Sequence, residues 1–450
     1  MEQSLAAGDA AGADAVLERA QGEYGPKSQV QYWMDRGMTL HLAGRYQQSN
    51  ELLQQAEDEI ERLYTRRIRT EVTAFLVNDT ELPYEGDPYE QVAVNVLKAL
   101  NYALLDQWED ALVEARRVDH RLNVLADRAA DTGGYRDDGF ARYVTGLLYE
   151  ATGDLNNAYI AYRRAYEAYG ANQAWVKAPA PTALRAALLR LSDALHLSQE
   201  HDEYRRQFPD TVWRPVSQER DVAHLIVISY NGRAPRKDDQ FIDLPLSADA
   251  LKLVLLTKGV TVSGGRDSRA AESILYGLSG QVVRVALPRL VPQKTQVVAQ
   301  EISLAAAGGT FSATAELGQN FTTLAEKSLS ERFASLAMKA TARAAVKYAL
   351  AEGAGHGARA AAGKDTGPLI GLVVGMLAKM VAVASEEADK RSWRTLPDEV
   401  RIARLSVPPG EYELRIRSRS STGQPVGHEV ARTVRLHRGE TRFVTQRVVP

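Results

Sequence analysis

From Trp33 to Ala56 the chain reads WMDRGMTLHLAGRYQQSNELLQQA, and its order of small and large residues indicates two packed helices. Gly37 has no side chain, so the first helix can approach the second closely at that point. Gly44 follows a run of helix-forming residues and suits the turn that ends the first helix. The stretch therefore predicts a helical hairpin.

The same arrangement recurs along the first half of the chain. Gly153 takes the turn position in a second copy, and Asp106 takes it in a third copy, where glycine is usual. Gly8 opens what reads as the second helix of a fourth copy. Helix pairs that repeat in this way, with small residues where the helices touch, are typical of tetratricopeptide repeats. The sequence therefore predicts a tetratricopeptide-like α-solenoid over residues 1–210.

The spacing of the copies is uneven, which predicts insertions between them. The turn positions are 36, 62 and 47 residues apart, whereas a regular array repeats every ~34 residues. Segment 73–87 is apolar and then rich in turn-forming residues, and segment 126–139 is polar, so these are the candidate insertions. Only seven residues precede Gly8, so we expect the chain to begin within a repeat. The alternative is a short helix that caps the solenoid.

Beyond a linker at residues 211–221 the hydrophobic period changes from helical to strand-like. Residues 225–228 have the sequence LIVI and read as a buried strand. Residues 411–417 alternate between charged and apolar side chains, which places the apolar set on one face of a strand. We expect an antiparallel β-sandwich over residues 222–450.

Further strands and turns are expected within this β domain. A second apolar run at 253–256 reads as a buried strand. Another strand at 282–287 is expected to end at Pro288, because proline cannot donate to a strand ladder. The last two strands are expected to form a hairpin that turns at 438–439.

A helical hairpin is expected as an insertion in the β domain at about residues 323–390. Its first helix, 323–351, is amphipathic, and its second begins near Pro368 and is apolar. The apolar face has two interpretations: it packs on the sheet as core, which is commoner, or it makes an oligomer or membrane contact, although it is too short to span a bilayer. The contact residues would be Leu369, Gly371, Leu372, Gly375 and Met376.

The composition excludes several classes of protein. The 450-residue chain has 55 Lys and Arg against 57 Asp and Glu, which is unlike the basic excess of nucleic-acid-binding domains. It has no cysteine, so disulfides, Cys-ligated metals and thiol catalysis are excluded. No HExxH motif, phosphate-binding loop or nucleophile elbow occurs. We therefore expect no catalytic residues, no bound metal and no cofactor.

Charge is unevenly distributed between the two ends of the chain. Residues 1–90 contain 17 acidic and 8 basic residues, whereas residues 391–450 contain 12 arginines and 6 acidic residues. The two ends would attract each other within or between protomers, and the arginines would also suit an anionic surface. The alternative, which we favour, is that arginine at alternate strand positions keeps the outer sheet face soluble and prevents edge pairing.

A candidate partner-binding surface lies on one predicted inner helix and the turn-rich stretch before it. In a solenoid the inner helices line a concave groove, and Asn on such a helix has no propensity advantage but can clamp a partner's backbone. The alternative is that the stretch is a structural insertion with its tyrosine in the core. The candidate residues are Tyr84, Gly86, Tyr89, Glu90, Asn95 and Asn101.

Four stretches resemble a family of bacterial envelope proteins. They are Pro83–Arg117, Tyr230–Lys237, Val283–Pro292 and Ala388–Leu405, in this order. The family is uncharacterised, and its members are mostly described as lipoproteins with tetratricopeptide-like helices followed by a β domain. Their genes often lie near a penicillin-binding-protein activator lipoprotein related to the curli secretion channel. The resemblance covers roughly residues 44–450.

The resemblance implies a periplasmic protein associated with the outer membrane, and it implies no catalytic activity. The family's leader and lipid-bearing cysteine are not found in this sequence, so anchoring is inferred. We expect a non-enzymatic scaffold that binds an envelope protein partner through its helical repeats. It would assemble, as a homo-oligomer or a subunit of a larger assembly, or attach through the β domain and its hairpin. No nucleic-acid partner is expected, and peripheral membrane association is compatible with this function.

The sequence is also compatible with other functions. One alternative is an accessory or regulator of cell-wall synthesis or of an outer-membrane secretion channel, with the apolar hairpin contacting the membrane or forming an oligomer. An enzyme with a site between the two parts of the chain would need a cleft that holds polar residues with shifted pKa values.

Overall fold

The computed structural model describes residues 1–74, 79–129, 135, 137–245, 282–356 and 387–449. This part of the chain has a mixed α+β fold, with helices in the first half and mainly strands in the second, as predicted at that level. The helices are α1 (Glu2–Ala6), α2 (Ala10–Arg19), α3 (Gln21–Tyr24), α4 (Gln29–Leu42), α5 (Tyr46–Ala74), α6 (Pro88–Leu104), α7 (Trp108–Ala129), α8 (Gly139–Ala151), α9 (Leu155–Val176), α10 (Thr182–Ala194), α11 (Ser198–Gln207), α12 (Val216–Glu219) and α13 (Phe321–His356). The strands are β1 (Ala223–Asn231), β2 (Arg236–Pro245), β3 (Val282–Val291), β4 (Ala299–Ala306), β5 (Gly309–Thr314), β6 (Glu316–Asn320), β7 (Glu399–Val407), β8 (Gly410–Arg419), β9 (Val430–Leu436) and β10 (Thr441–Val448).

Five turns between consecutive helices have the same geometry. At each turn one residue has a positive φ of 57–80°. The first N–H beyond that residue donates to a carbonyl five residues back, as from Arg45 to Leu40 and from Leu197 to Ser192, both at 2.9 Å. This is the bond that closes a helix C-terminus with a left-handed residue. The positive-φ residues are Gly8, Gly44, Asp106, Gly153 and His196. The first four were predicted, and His196 was missed because its residue type gives no turn signal.

Gly37 and Gly146 allow close contact between paired helices. A Cβ atom at Gly37 of α4 would lie 2.6 Å from the Leu53 side chain of α5, and one at Gly146 of α8 would lie 2.3 Å from the Tyr162 ring of α9. Both distances are far below van der Waals contact, so only glycine fits without a shift of the neighbouring side chain. The prediction that Gly37 permits close helix approach is confirmed.

Gly146→Ala is expected to lower the free energy of unfolding by about 1–3 kcal/mol, because the added methyl group overpacks the α8–α9 contact. Gly170→Ala is the matched control, since Gly170 is also helical but an added Cβ there meets no atom within 4 Å. The control is expected to raise stability by about 0.4–1 kcal/mol through the loss of unfolded-state freedom. Urea denaturation of both variants measures the difference, and equal effects would contradict this packing.

The strands form two four-stranded sheets and a separate pair. The inner sheet has the order β10-β1-β7-β6, and the outer sheet has the order β5-β4-β8-β9. Strands β2 and β3 pair with each other, antiparallel. In the outer sheet all neighbours are antiparallel, whereas in the inner sheet β1 pairs parallel with β10 and antiparallel with β7.

The inner sheet lies between the helices and the outer sheet. Ile226 and Ile228 of β1 belong to one apolar cluster with helix residues such as Met38 and Leu147. Leu225 and its neighbours on the other face belong to a second cluster, with residues of β4 and β8. All nine residues of β1 are therefore buried. A strand that is covered on both faces reads as a continuous apolar run, which explains the sequence LIVI.

Three expectations about the strands are corrected. The β domain is not wholly antiparallel, because β1 and β10 run parallel. Strand β3 continues through Pro288, which pairs opposite Asp239, instead of ending at residue 287. Strands β9 and β10 do not form a hairpin ladder, because they leave the turn at 438–439 into different sheets. The sequence could not reveal this, since adjacent strands usually pair.

The helices of the first half give way to strands between residues 207 and 223, and the division of the chain into domains stays a prediction. The helices α1–α11 end at Gln207, α12 lies within the predicted linker, and β1 begins at Ala223. The first helix of the predicted hairpin is α13, which spans Phe321–His356. The second helix of that hairpin and the strand predicted at 253–256 lie outside the described residues.

Candidate functional site at the junction of helices and sheets

The loop before α6 and the first turn of α6 contain four of the six residues predicted to bind a partner. The side chains of Tyr84, Tyr89 and Glu90 are 6%, 4% and 0% exposed. Gly86 has a φ of 76°, in the region that favours glycine, and the N–H of Tyr84 donates to the carbonyl of Lys27 at 2.8 Å. These residues contact the chain itself in this conformation, and partner binding through them stays a prediction.

Glu90 is the centre of this group. Its Oε2 accepts hydrogen bonds from the Tyr84 hydroxyl at 2.5 Å and from the Asp87 N–H at 2.8 Å. Its Oε1 accepts one from the N–H of Trp393 at 2.8 Å, and the Trp393 side chain is fully buried. Glu90 thus ties the start of α6, where the helix dipole favours an acid, to the 389–398 segment that leads into β7.

Asp87 connects the same loop to two further elements. Its carboxylate lies 2.6 Å from Nη2 of Arg332 on α13 and 3.2 Å from Nζ of Lys237 on β2. Lys237 also donates to the carbonyl of Arg391 at 2.9 Å. Burial alone would raise the pKa of Asp87, but Arg332 and Lys237 lower it to about 2. Asp87 is therefore ionised at neutral pH, and its charge is offset by two cations.

Asp35 on α4 holds the next part of the 389–398 segment. Its side chain is fully buried and accepts hydrogen bonds from the Thr395 N–H at 3.0 Å and from the Tyr24 hydroxyl at 2.9 Å. Arg394 lies 3.5 Å away and is half-exposed. Burial raises the pKa of Asp35, and Arg394 and these hydrogen bonds oppose that shift. The segment is thus bound to two helices, α4 and α6, by buried carboxylates.

The four stretches that the sequence analysis singled out meet at this junction. The first contributes Asp87 and Glu90, the second Lys237 and the fourth Trp393, while the third forms β3, which pairs with the strand that carries Lys237. Sequence reasoning singled out these stretches but missed Asp35 and Arg332. The available signal was Asp35, a charged residue among the apolar positions of α4. A buried acid with a purely structural role explains that signal as well as a functional acid does.

Burial and the Asp87 carboxylate raise the pKa of Glu90 to about 7, which predicts a dependence of stability on pH. A carboxyl group with a higher pKa in the folded state binds its proton more tightly there. Stability is therefore expected to fall as pH rises from the unfolded value of 4.5 to about 7, by about 3 kcal/mol from this group.

Glu90→Gln tests this prediction, because glutamine resembles the protonated carboxyl group and does not titrate. Urea unfolding of the wild type and the variant at a series of pH values gives the difference in stability. We expect the free energy of unfolding of the variant to rise relative to that of the wild type between pH 4.5 and 7. A difference that is constant over this interval would show that Glu90 does not titrate there.

Asn95 and Asn101 are not part of the junction. Asn95 donates to Glu57 of α5 at 2.7 Å, and Asn101 donates to Ser49 and Asn50 of α5 at 2.9 and 2.8 Å. Both side chains are buried between α5 and α6. In this conformation they hold neighbouring helices together, and partner binding through them stays a prediction.

Glu150 forms a second buried contact between the helices and the inner sheet. Its carboxylate accepts hydrogen bonds from Arg190 on α10 at 2.5 Å and from two nitrogens of Arg404 on β7 at 2.8 and 3.0 Å. The side chains of Arg190 and Arg404 are only 5% and 8% exposed. Burial would raise the pKa of Glu150, but the two arginines hold it well below its usual range. Sequence reasoning did not identify this contact.

A cleft of about 470 Å³ opens beside the Glu150 contact, between α10, α12 and the inner sheet. Glu219 of α12 lies at its floor, 3.7 Å from Arg190 and 3.6 Å from Arg404. His224 is close to the same carboxylate, at 3.4 Å, and burial lowers its pKa to about 3. The charges at the floor of this cleft are balanced by one another.

A second open space, of about 390 Å³, lies between the edges of β9 and β10 and the ends of α5 and α6. We call it the β10 groove. The residues that define it are Tyr46, Leu104, Arg432, Arg435, Arg442 and Phe443.

The buried carboxylates of the junction bind groups of the chain itself. Each carboxylate of Asp35, Asp87, Glu90 and Glu150 accepts hydrogen bonds from donors of this chain. Within the described residues no cluster of three or more His, Asp or Glu side chains has the geometry to hold a metal ion.

The predicted membrane or oligomer contact at Leu369, Gly371, Leu372, Gly375 and Met376 lies outside the described residues. Of the helices that the structure describes, none combines the length and apolarity that a bilayer crossing requires. No protein-family model, curated protein or solved structure matches the chain.

Proposed function

We propose that the chain is a non-enzymatic protein-interaction scaffold of the bacterial cell envelope. In this proposal the paired helices are tetratricopeptide-like repeats, and the two facing sheets are a β-sandwich that they support. The five equivalent turns and the close contacts at Gly37 and Gly146 favour the repeat assignment. The shared apolar cluster between the inner and outer sheets favours the sandwich assignment.

The observation that carries the proposal is the buried polar junction. Strongly shifted pKa values mark catalytic sites, but structural ion networks shift them as well. The carboxylates of Asp35 and Glu90 join α4 and α6 to the 389–398 segment that leads into β7. Those of Asp87 and Glu150 join α6 and α8 to strands β2 and β7. Charged groups that are all bonded within the chain make the structure rigid, which suits a scaffold better than an enzyme.

Helices α4, α6 and α8 are covered by the chain's own sheet, so a partner would bind elsewhere. Candidate surfaces are α7 and α9, where Val113 and Ile160 are 39% and 42% exposed, and the β10 groove. The periplasmic, outer-membrane-associated location and the assembly through residues 369–376 belong to this proposal and derive from the family resemblance and the apolar pattern of that segment.

Two measurements on the full chain test the scaffold. Light scattering, with and without mild detergent, gives the mass in solution. In intact bacteria a photocrosslinking amino acid replaces Val113, Ile160 or Thr433, one at a time. We expect a protein adduct of defined mass from at least one position, or an assembly of fixed stoichiometry. A 49.4 kDa monomer that gives no adduct from any of the three positions would overturn the proposal.

A further inference from the structure

Among the described residues, β10 is the outermost strand of the inner sheet and pairs only with β1. The carbonyls of Glu440 and Val448 accept hydrogen bonds from the N–H groups of His224 and Gly232, at 2.7 and 2.8 Å. Alternate residues of a strand direct their main-chain groups to opposite sides. Even-numbered residues of β10 therefore bond to β1.

The odd-numbered residues Thr441, Phe443 and Thr445 direct their main-chain N–H and C=O groups to the other side. Among the described residues, the N–H groups of these three form no hydrogen bond. All three line the β10 groove. The groove therefore presents a row of unpaired main-chain donors and acceptors at the spacing of a strand.

Three arginines give this groove a positive character. Arg435 is bonded to Glu411 at 2.8 Å. Arg442 donates to the Arg435 carbonyl at 2.6 Å and lies 3.8 Å from the Glu440 carboxylate. Arg432 is exposed, and no carboxylate of the described residues lies within ion-pair distance of it. The lining contains one acidic residue, Asp106.

We propose that the β10 groove binds an extended acidic segment of a partner protein, which adds to the inner sheet as a further strand beside β10. The proposal rests on the scaffold function and names its docking surface. Main-chain pairing with Thr441, Phe443 and Thr445 supplies affinity, and pairing of acidic side chains with Arg432 and Arg442 supplies selectivity.

The arginines explain why this edge would be selective. Charged side chains on an edge strand discourage pairing with other chains. The arginines repel a basic strand, and a neutral strand would remove water from them without supplying a counter-charge. A strand with acidic side chains is attracted. The groove thus disfavours indiscriminate edge pairing while it favours one class of ligand.

Synthetic peptides test the proposal on the full chain. The probe is an eight-residue peptide that alternates Glu and Val, with a Lys–Val peptide as the charge control. Two further Glu–Val peptides carry N-methyl groups on alternate amides, one in each frame. Only one set of alternate amides faces β10. Methylation of that set is expected to weaken binding at least ~10-fold, and methylation of the other set is expected to change it less than ~2-fold. The Lys–Val peptide is expected not to bind.

Two variants locate the site. Arg432→Glu is expected to weaken binding of the Glu–Val peptide about 10-fold. Arg438→Glu is the matched control, because Arg438 is an exposed arginine at the β9–β10 turn that pairs with Asp221 outside the groove. It is expected to leave binding within ~2-fold. Circular dichroism confirms that both variants are folded.

Several outcomes would overturn the proposal. If methylation of either set of amides had the same effect, the peptide would bind by charge alone and not as an added strand. If Arg432→Glu and Arg438→Glu had the same effect, the peptide would bind outside the β10 groove. Loss of a dimer on Arg432→Glu would show that the occupant is a second copy of this chain. An adduct from Val113 or Ile160 but none from Thr433 would support the scaffold function and contradict binding in the β10 groove. A monomer that gives no adduct at any of the three positions would contradict the scaffold function itself.

Discussion

Replacing Glu150 with alanine is expected to lower the free energy of unfolding by about 3–5 kcal/mol, because two buried arginines then share Glu219, at 3.7 and 3.6 Å, as their remaining counter-ion. Arg190 and Arg404 both donate to this carboxylate, and they come from α10 and β7. Removing one partner of a buried ion pair costs more than the pair contributes, since the remaining charges stay desolvated. Urea denaturation followed by circular dichroism measures the loss.

Two controls separate charge from packing at this position. Glu150→Gln keeps a hydrogen-bond acceptor but removes the charge, so its loss is expected to lie between zero and that of alanine. Glu413→Ala removes a carboxylate that also pairs with an arginine, Arg415, at 2.8 Å, but at the surface, where the expected loss is below about 1 kcal/mol. Similar losses for Glu150→Ala and Glu413→Ala would contradict the assigned role of Glu150.

Trp393→Ala is expected to cost about 3–5 kcal/mol, the usual loss for a large buried aromatic side chain. Trp393 is fully buried, and its indole N–H donates to the Thr395 hydroxyl at 2.9 Å. It anchors the 389–398 segment in the same apolar cluster as residues of α4, α6 and α8. The substitution leaves a cavity at the point where this segment joins the two parts of the chain.

Trp213→Ala is the matched control for Trp393, because Trp213 is only partly buried and packs edge-on against His201. Its loss of stability is expected to be clearly smaller. Thermal unfolding of both variants measures the difference. If Trp393→Ala were the milder of the two, the 389–398 segment would not be the anchor that the buried contacts indicate.

The sequence predicts the elements better than their arrangement. The small residues Gly37 and Gly44 reveal a helix pair, because the contacts they serve are local. The alternation at 411–417 likewise reveals β8, since one face of that strand is exposed. By contrast, the parallel pairing of β1 with β10 joins residues more than 200 positions apart. No local pattern distinguishes that pairing from a hairpin of β9 and β10.

The candidate site could be predicted only in part. Tyr84–Glu90 drew attention because turn residues and aromatics lie together there. Its role was open, because a satisfied buried acid and a partner-binding acid have the same sequence signal. Glu150 and Arg404 carried no signal at all, since each is a charged residue in an ordinary amphipathic element whose partner is set by the tertiary fold.

Region-resolved hydrogen exchange of the wild type and Glu150→Ala tests most directly whether the helices and the sheets form one structure. The amides of α6 in the helical half and of β1 in the inner sheet are to be compared. If the junction joins the two halves, both elements open with the same free energy in the wild type, and both lose the same amount in the variant. Loss of protection in one element alone would show that the two halves unfold independently and would contradict the account.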